Sequence, residues 1–172
     1  MILTSDHGEM LGEDRQWGHA YYLYPQVLQT PLLMHVPAGA RSRPADPGAA
    51  AFSTDLTPTV YDLLGYQIRR SSPLLGRSLV ASEGRGEAAD RRRGTEVVAA
   101  SYGAVWGALS VNGHRLYVAD ANHGREYAYE RPAHGEWRAV PVTAGIRTRG
   151  QRAIRQEIER IAQTYHLSSA DR

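Results

Sequence analysis

The sequence predicts an α/β fold in which short buried strands and a helix come first, and a small antiparallel sheet with a C-terminal helix follows. Two runs near the start, residues 1–3 and 31–36, are almost entirely apolar, which is typical of strands buried on both faces of a parallel sheet. After residue 97 the segments become short, aromatic and β-branched, which is typical of antiparallel strands. The 172 residues suffice for one domain with its own core.

The first part of the chain alternates strands with helices. Residues 1–37 are predicted as strand, loop, short helix and strand, and residues 38–53, rich in Ala, Gly, Pro and Ser, as a surface loop. A helix follows, with Thr57 as its N-cap, Pro58 at its first position and Gly65 at its end. Its predicted apolar face consists of Val60, Leu63 and Leu64.

The second part is predicted as a sheet and a helix. Residues 81–96 are a polar, charge-rich loop, and Asn112-Gly113 indicates a hairpin between two strands. The chain ends with a helix over about residues 150–165, whose apolar face is Ile154, Ile158 and Ile161. The predicted organisation is therefore a first domain over 1–80, a polar loop over 81–96 and a small sheet subdomain over 97–172.

The composition excludes several functions. The formal net charge is only +2, so the balance does not favour a nucleic-acid partner, and Arg91-Arg92-Arg93 is interpreted as a solvated loop. The chain has no cysteine, which excludes disulfides, thiolate metal sites and a cysteine nucleophile. No run of about eighteen apolar residues exists, so the sequence predicts no membrane segment.

Asp6 and His7 are the first candidates for chemistry, because they follow the opening strand directly. A carboxylate beside an imidazole at the carboxyl end of a strand suits Zn or Mn, and Ca if more oxygens join. Two ligands do not complete a site, since three or four are needed. The alternative is that Asp6 caps a turn and His7 is an ordinary loop histidine.

Several elements extend this pattern along the chain in a fixed order. They are Ser5-Asp6-His7-Gly8-Glu9, His19, Leu23-Tyr24, Thr30-Pro31-Leu32, Asp55-Leu56-Thr57-Pro58-Thr59, Asp62-Leu63-Leu64-Gly65 and Leu75-Gly76-Arg77-Ser78-Leu79. The series covers about residues 1–80 and resembles the sulfatase family of the alkaline phosphatase-like superfamily.

The resemblance implies a fold, a cofactor and roles for three residues. The first part of the chain would form part of an alkaline phosphatase-like α/β/α sandwich that hydrolyses sulfate or phosphate esters with a divalent metal ion. Asp6 and His7 would ligate the metal, and His19 would contact the sulfate or phosphate oxygens as the catalytic residue. Family sulfatases usually have Lys where this chain has His19; His is more typical of phosphoethanolamine and phosphoglycerol transferases. The alternative for His19 is a helix-surface histidine.

The family nucleophile has no counterpart in the sequence. Members use a Cys or Ser in a Cys/Ser-x-Pro-x-Arg element, or a Thr, well upstream of the Asp-His-Gly element, together with two acidic metal ligands. The nearest copy, Ser71-Ser72-Pro73, has Leu75 where the Arg is required. We therefore expect the chain to be the C-terminal portion of such an enzyme, inactive alone, with the missing N-terminal half as a partner.

Three hypotheses remain open on the sequence. The chain is a fragment of a sulfatase-type hydrolase, a fragment of a phosphoethanolamine- or phosphoglycerol-type transferase, or a non-catalytic domain that binds a partner. The compartment is left open, and a periplasmic or membrane-attached parent is compatible with the resemblance.

Overall fold

The computed structural model describes residues 1–37, 42–44, 50–69, 74, 76–82, 96–132 and 135–165. In chain order its strands and helices are β1 (Ile2–Thr4), β2 (Met10–Leu11), β3 (Trp17–Gly18), α1 (Pro25–Leu28), β4 (Leu32–Met34), β5 (Ser42–Pro44), α2 (Leu56–Leu63), β6 (Val80–Ser82), β7 (Glu96–Ala100), β8 (Val105–Ser110), β9 (Arg115–Asp120), β10 (Arg125–Glu130), β11 (Arg138–Val140) and α3 (Ala144–Thr164).

The chain divides into two compact units. The first contains Met1–Asp6 and Thr30–Thr95, and the second contains His7–Gln29 and Glu96–Arg172. The domain boundaries drawn from the sequence at residues 80 and 97 stay a prediction. Most of the predicted polar loop, residues 83–95, lies outside the described residues.

The opening strands of the first unit are paired differently from the prediction. β1 and β4 are antiparallel, with Leu3 opposite Leu33. These two side chains are 58% and 56% exposed, so the expectation of strands buried on both faces of a parallel sheet is wrong for the described residues. A parallel pair needs a crossover that covers the sheet, usually an α-helix. The segment between these strands folds mostly with the second unit, and its α-helix, α1, has only four residues.

The helix α2 begins earlier than predicted and buries another face. It starts at Leu56, directly after a 3-10 turn over Ser53–Asp55, so Thr57 is inside the helix and is not its N-cap. The predicted apolar face is also wrong, since Val60 is 39% and Leu64 64% exposed. The residues of this region that are fully buried are Asp55, Pro58 and Thr59.

A network of hydrogen bonds explains why polar residues are buried there. The Asp55 carboxylate accepts from the backbone N–H groups of Phe52 and Arg77, both at 2.9 Å. The Thr59 hydroxyl accepts from the Leu79 N–H at 2.9 Å and donates to the Asp55 carbonyl at 2.6 Å. Because buried polar groups are costly only when unpaired, this helix can pack through Asp55 and Thr59.

Gly76 allows the two chain segments to approach this closely. A Cβ atom built at Gly76 would lie 1.8 Å from the Thr54 carbonyl oxygen, so no other residue fits without a backbone shift. The segments 55–59 and 76–79 therefore pack against each other as one unit. β5 and β6 form a further antiparallel pair in the first unit, so the predicted loop over 38–53 contains a strand.

The second unit contains a five-stranded antiparallel sheet in the order β11-β10-β9-β8-β7, which confirms the predicted small sheet. The Asn112-Gly113 pair turns the chain between β8 and β9, with Gly113 at φ 69°. One core cluster is formed by Ala108, Tyr117 and Ile154 of α3. A second cluster joins strand residues to the segment before α1, through Leu23, Val105, Leu116, Val118 and Tyr129.

The C-terminal helix α3 is confirmed but is longer than predicted. It begins at Ala144, where the Thr143 hydroxyl accepts a hydrogen bond from the Ile146 N–H at 3.3 Å. The first turns of α3 were not predicted because they contain few apolar residues. The described part of the chain contains no helix that is long and apolar enough to cross a membrane. The α/β/α sandwich stays a prediction.

Candidate functional site

The Asp-His-Gly element lies against the short helix α1. The Gly8 N–H donates to the Val27 carbonyl at 2.7 Å. A Cβ atom at Gly8 would lie 2.0 Å from the Gln26 carbonyl oxygen and 2.8 Å from that of Gln29. Glycine is therefore required at this position, because any side chain would push the turn away from α1. The position of His7 follows from this contact.

The β2–β3 hairpin brings Glu9 and His19 together. Met10 pairs with Gly18, so the next pair along the same register is Glu9 and His19. The two side chains meet there, with His19 Nδ1 at 3.0 Å from Glu9 Oε2. His19 is 39% and Glu9 44% exposed at the side chain, so both groups can be reached from solvent.

His7 completes this group. Its ring stacks on that of His19, with centroids 3.9 Å apart and planes inclined by 26°. His7, Glu9 and His19 each offer one donor atom, and these atoms all lie within 4.8 Å of one another. All three residues belong to the second unit.

The hydrogen bonds fix which ring nitrogens can bind a ligand. The Gly8 carbonyl, 3.0 Å from His7 Nδ1, can only accept, so Nδ1 carries the proton in that bond. The Glu9 carboxylate assigns the proton to His19 Nδ1 in the same way. In each neutral ring Nε2 then carries the lone pair, which is the arrangement that metal-binding histidines adopt.

This donor set fits a divalent transition metal ion. Two imidazole nitrogens and one carboxylate oxygen suit Zn or Mn. Ca takes about six to eight oxygen ligands, which these three side chains do not supply. The group therefore has the right chemistry for a metal site in which further positions are filled by other ligands or by substrate.

The segment that carries His19 has an unusual backbone. Three residues other than glycine have positive φ angles there: Asp14 at 50°, Arg15 at 59° and Tyr21 at 67°. Such conformations cost roughly 1–3 kcal/mol each and persist only where the surroundings impose them. Glu13 helps to hold the turn that contains Asp14 and Arg15, since its carboxylate accepts a hydrogen bond from the Leu11 N–H at 2.7 Å. Backbone hydrogen bonds, from its own N–H and that of Leu11, lower the pKa of Glu13.

The structure treats the three predicted site residues differently. His7 and His19 are brought together, whereas Asp6 is not part of the group of donor atoms. His19 lies in the turn after β3, not on a helix. The sequence analysis gives Glu9 no role. Its position two residues after His7 could have indicated one, because alternate residues of an extended segment share a face. The metal and catalytic roles themselves stay predictions.

The remaining histidines have structural positions. His114 lies before β9, with its Nδ1 2.9 Å from the Arg131 carbonyl oxygen, and His123 lies 2.8 Å from the Asp120 carboxylate in a turn. His35 is exposed at the end of β4, and His134 is outside the described residues.

Comparison with known families gives one match. Residues 1–66 match the family model described as Sulfatase, and this range contains Asp6, His7, Glu9 and His19. Neither a curated protein nor a solved structure matches the chain significantly. The matched range also includes the α2 region with its buried Asp55 and Thr59. Over residues 1–66 the chain is therefore similar to the sulfatase family, which confirms the resemblance found in the sequence.

Proposed function

We propose that this chain contributes the metal-binding and substrate-contacting part of a sulfatase-type hydrolase of sulfate or phosphate esters. One observation carries the proposal: the range that matches the sulfatase family contains two histidines whose rings lie 3.9 Å apart, with a carboxylate beside them. Histidines and carboxylates gathered at a solvent-accessible turn are the groups that hold divalent ions and contact transferred anionic groups.

His19 is the proposed contact to the transferring group. Glu9 accepts the His19 Nδ1 proton, which holds the orientation and the tautomer of the ring. The opposite nitrogen, Nε2, is then presented to the substrate, where in the protonated ring it donates to a sulfuryl or phosphoryl oxygen. Glu9 thus acts through His19 and is a positioning residue.

His7 is the residue of the group that we assign first to the metal. The Glu9 carboxylate belongs to the same group of donor atoms, and the sequence adds its neighbour Asp6 as a predicted ligand. His19 is kept for the substrate. A bound divalent ion would polarise the ester oxygens as a Lewis acid. Since the sequence contains no Cys/Ser-x-Pro-x-Arg element, we assign the nucleophile to no residue of this chain, and we do not expect it to hydrolyse esters by itself.

Metal titration tests the assignment. Isothermal titration of Zn, Mn and Ca into the full chain should give tighter binding of Zn and Mn than of Ca. His7→Ala should weaken Zn binding by at least about tenfold. His35→Ala, which removes an exposed histidine outside the group, is the matched control and should leave the affinity unchanged. Equal affinities for the chain and for His7→Ala would overturn the metal site.

Two further variants separate the possible ligand sets. If Asp6→Asn weakens Zn binding and Glu9→Gln does not, the metal is held by the pair predicted from the sequence. If Glu9→Gln weakens binding and Asp6→Asn does not, the group seen in the structure holds it. Both results preserve a metal site at His7 and decide its second ligand.

A transferase of phosphoethanolamine or phosphoglycerol groups is the second candidate, favoured by His19 in place of the usual Lys. Competition between 4-nitrophenyl sulfate and 4-nitrophenyl phosphate tests the transferase, because a transferase site should bind the phosphate ester more tightly. A preference for the sulfate ester would favour the hydrolase. A partner-binding domain without catalytic function predicts that neither ester binds.

A further inference from the structure

One face of the five-stranded sheet carries a pocket to which His7, Glu9 and His19 do not contribute. Its walls come from the segment before α1, from the end of β9 and from β10, all in the second unit. The side chains that matter for its chemistry are four aromatic rings and one carboxylate. We call it the tyrosine pocket, and these side chains are Tyr22, Tyr24, Asp120, Tyr127 and Tyr129.

The rings of the tyrosine pocket meet at steep angles. The Tyr24 centroid lies 6.3 Å from the centroids of both Tyr127 and Tyr129, and the planes are inclined by 57° and 79°. The Tyr22 centroid lies 5.5 Å from that of Tyr24, with the planes inclined by 32°. Inclined rings form the walls of a corner, so a single bound group can contact more than one ring.

Asp120 adds a negative charge to these walls. The residue is only 5% exposed. Its carboxylate accepts a hydrogen bond from the His123 N–H at 3.1 Å and lies 2.8 Å from His123 Nδ1. Arg125 is its cross-strand neighbour on β10, but in the described part of the chain no ion pair joins the two. Because a buried carboxylate is costly without an opposite charge, a bound cation would stabilise it.

The tyrosine hydroxyls are subject to the same negative field. Burial is the largest reason that the pKa of Tyr24 is raised, followed by the neighbouring tyrosines and then by the charges of Asp14 and Asp120. Burial, then Tyr24 and then Asp14 raise the pKa of Tyr129. Among the described residues no positive charge acts in the opposite direction on either hydroxyl. The pocket therefore disfavours anions and favours a cation.

We propose that the tyrosine pocket, with the Asp120 carboxylate in its wall, binds a methylated ammonium ion. The methyl groups of such an ion are apolar and surround the positive charge, so they can lie on the tyrosine faces while the charge is attracted to the rings. The carboxylate neutralises the ion. A primary ammonium group is more strongly hydrated and gains less from aromatic walls. The inference goes beyond the proposed function, because neither the ester nor the metal takes part.

Titration of the full chain with three probes, followed by calorimetry, tests the pocket. The probes are choline, its neutral isostere 3,3-dimethylbutanol, and methylammonium. Choline and the isostere have nearly the same shape, so a difference between them measures the charge and not the apolar contact. Choline should bind at least about tenfold more tightly than the isostere, which is within the range for a cation held by desolvated rings. It should also bind more tightly than methylammonium.

Two variants locate the binding in the pocket. Tyr22→Leu keeps an apolar side chain but removes the ring, and should weaken choline binding by about two- to tenfold, while Tyr22→Phe keeps the affinity. Asp120→Asn should weaken the binding of choline and leave that of the isostere unchanged. Tyr66→Leu is the matched control, because Tyr66 is 62% exposed and belongs to the tyrosine pair with Tyr61 in the first unit. It should change nothing.

Three results would overturn the inference. Equal affinities for choline and its isostere would show that the charge is not recognised. Tighter binding of methylammonium than of choline would show that a carboxylate acts without the rings. Unchanged choline affinity in Tyr22→Leu would place the binding elsewhere, and this variant leaves the hydrogen bonds of Asp120 intact. Each of these results would leave the proposed metal site at His7 unaffected, since zinc titration tests that site separately.

Discussion

Gly150 is the point at which α3 touches the sheet most closely, and enlarging it should destabilise the second unit. A Cβ atom there would lie 2.1 Å from Cδ1 of Tyr117, 2.6 Å from its Cγ and 2.8 Å from its Cε1. Carbon atoms in ordinary contact are about 3.5 Å or more apart, so the ring or the helix must move by more than about 1 Å. The Gly150→Ala variant makes this change with a single methyl group.

The Tyr117 ring has little freedom to move away. It is 3% exposed, and its hydroxyl donates to Glu126 Oε1 at 2.5 Å. Arg147 and Gln151 of α3 donate to the same carboxylate, at 2.7 and 3.3 Å. Overpacking of this kind costs typically about 1–3 kcal/mol. We take the upper end of that range because the ring is fixed at its face and at its hydroxyl.

The helix itself would gain from the substitution, so the two effects oppose each other. Ala is more favourable than Gly in a helix interior by up to about 1 kcal/mol. The expected net destabilisation by Gly150→Ala is therefore about 2 kcal/mol, or about 4–8 °C in melting temperature for a chain of this length. Gly145→Ala in the same helix is the matched control. Its Cβ atom would meet nothing within 4 Å, and it should stabilise slightly.

Urea unfolding followed by tryptophan fluorescence measures this difference. The three tryptophans, Trp17, Trp106 and Trp137, all belong to the second unit, so the signal reports on the unit that contains α3. The reasoning would be refuted if Gly150→Ala unfolded at the same urea concentration as the parent chain, or at a higher one. Equal destabilisation by Gly145→Ala would also count against it, because that change adds no contact.

Three further predictions concern the buried Asp55 carboxylate, the turn at Gly8 and the loss of stability at high pH. Asp55→Ala should destabilise the first unit by about 2–4 kcal/mol, because the half-buried N–H groups of Phe52 and Arg77 lose their acceptor. Asp55→Asn, which keeps one oxygen, should lower the melting temperature less. Gly8→Ala should weaken Zn binding by calorimetry, because its Cβ atom displaces the turn from α1; unchanged affinity would show that the position of the turn is unimportant. Burial, and then the hydrogen bond to Glu126, raises the pKa of Tyr117 from 10.0 to about 12. Since the folded pKa is above the unfolded one, this stabilisation is complete below pH 10 and is lost as the pH rises toward about 12. Across that pH interval, tyrosinate absorbance should rise while the free energy of unfolding falls.

The sequence predicted the sheet and the C-terminal helix of the second unit well, because their signals are local. Aromatic and β-branched segments, with Asn112-Gly113 between two of them, specify strands and a turn within a few residues. α3 was predicted too short, because its start depends on the Thr143 cap and on packing against the sheet, which its arginine-rich first turns do not reveal.

The first unit was predicted less accurately because its decisive contacts join distant segments. Apolar residues of α2 suggested a hydrophobic face, yet the helix packs through Asp55 and Thr59, whose partners lie about twenty residues later in the chain. The pairing of β1 with β4 likewise depends on where the intervening segment folds, and residue periodicity does not specify that.

For the site, the sequence by itself determined the resemblance to a family over residues 1–66 and two of the three residues that meet. The order of Asp6, His7, His19 and the later elements is a property of the chain, and it was enough for the resemblance that the family match over residues 1–66 confirms. Only the tertiary structure decided that Glu9 stands beside His19, because that contact depends on the register of the β2–β3 hairpin.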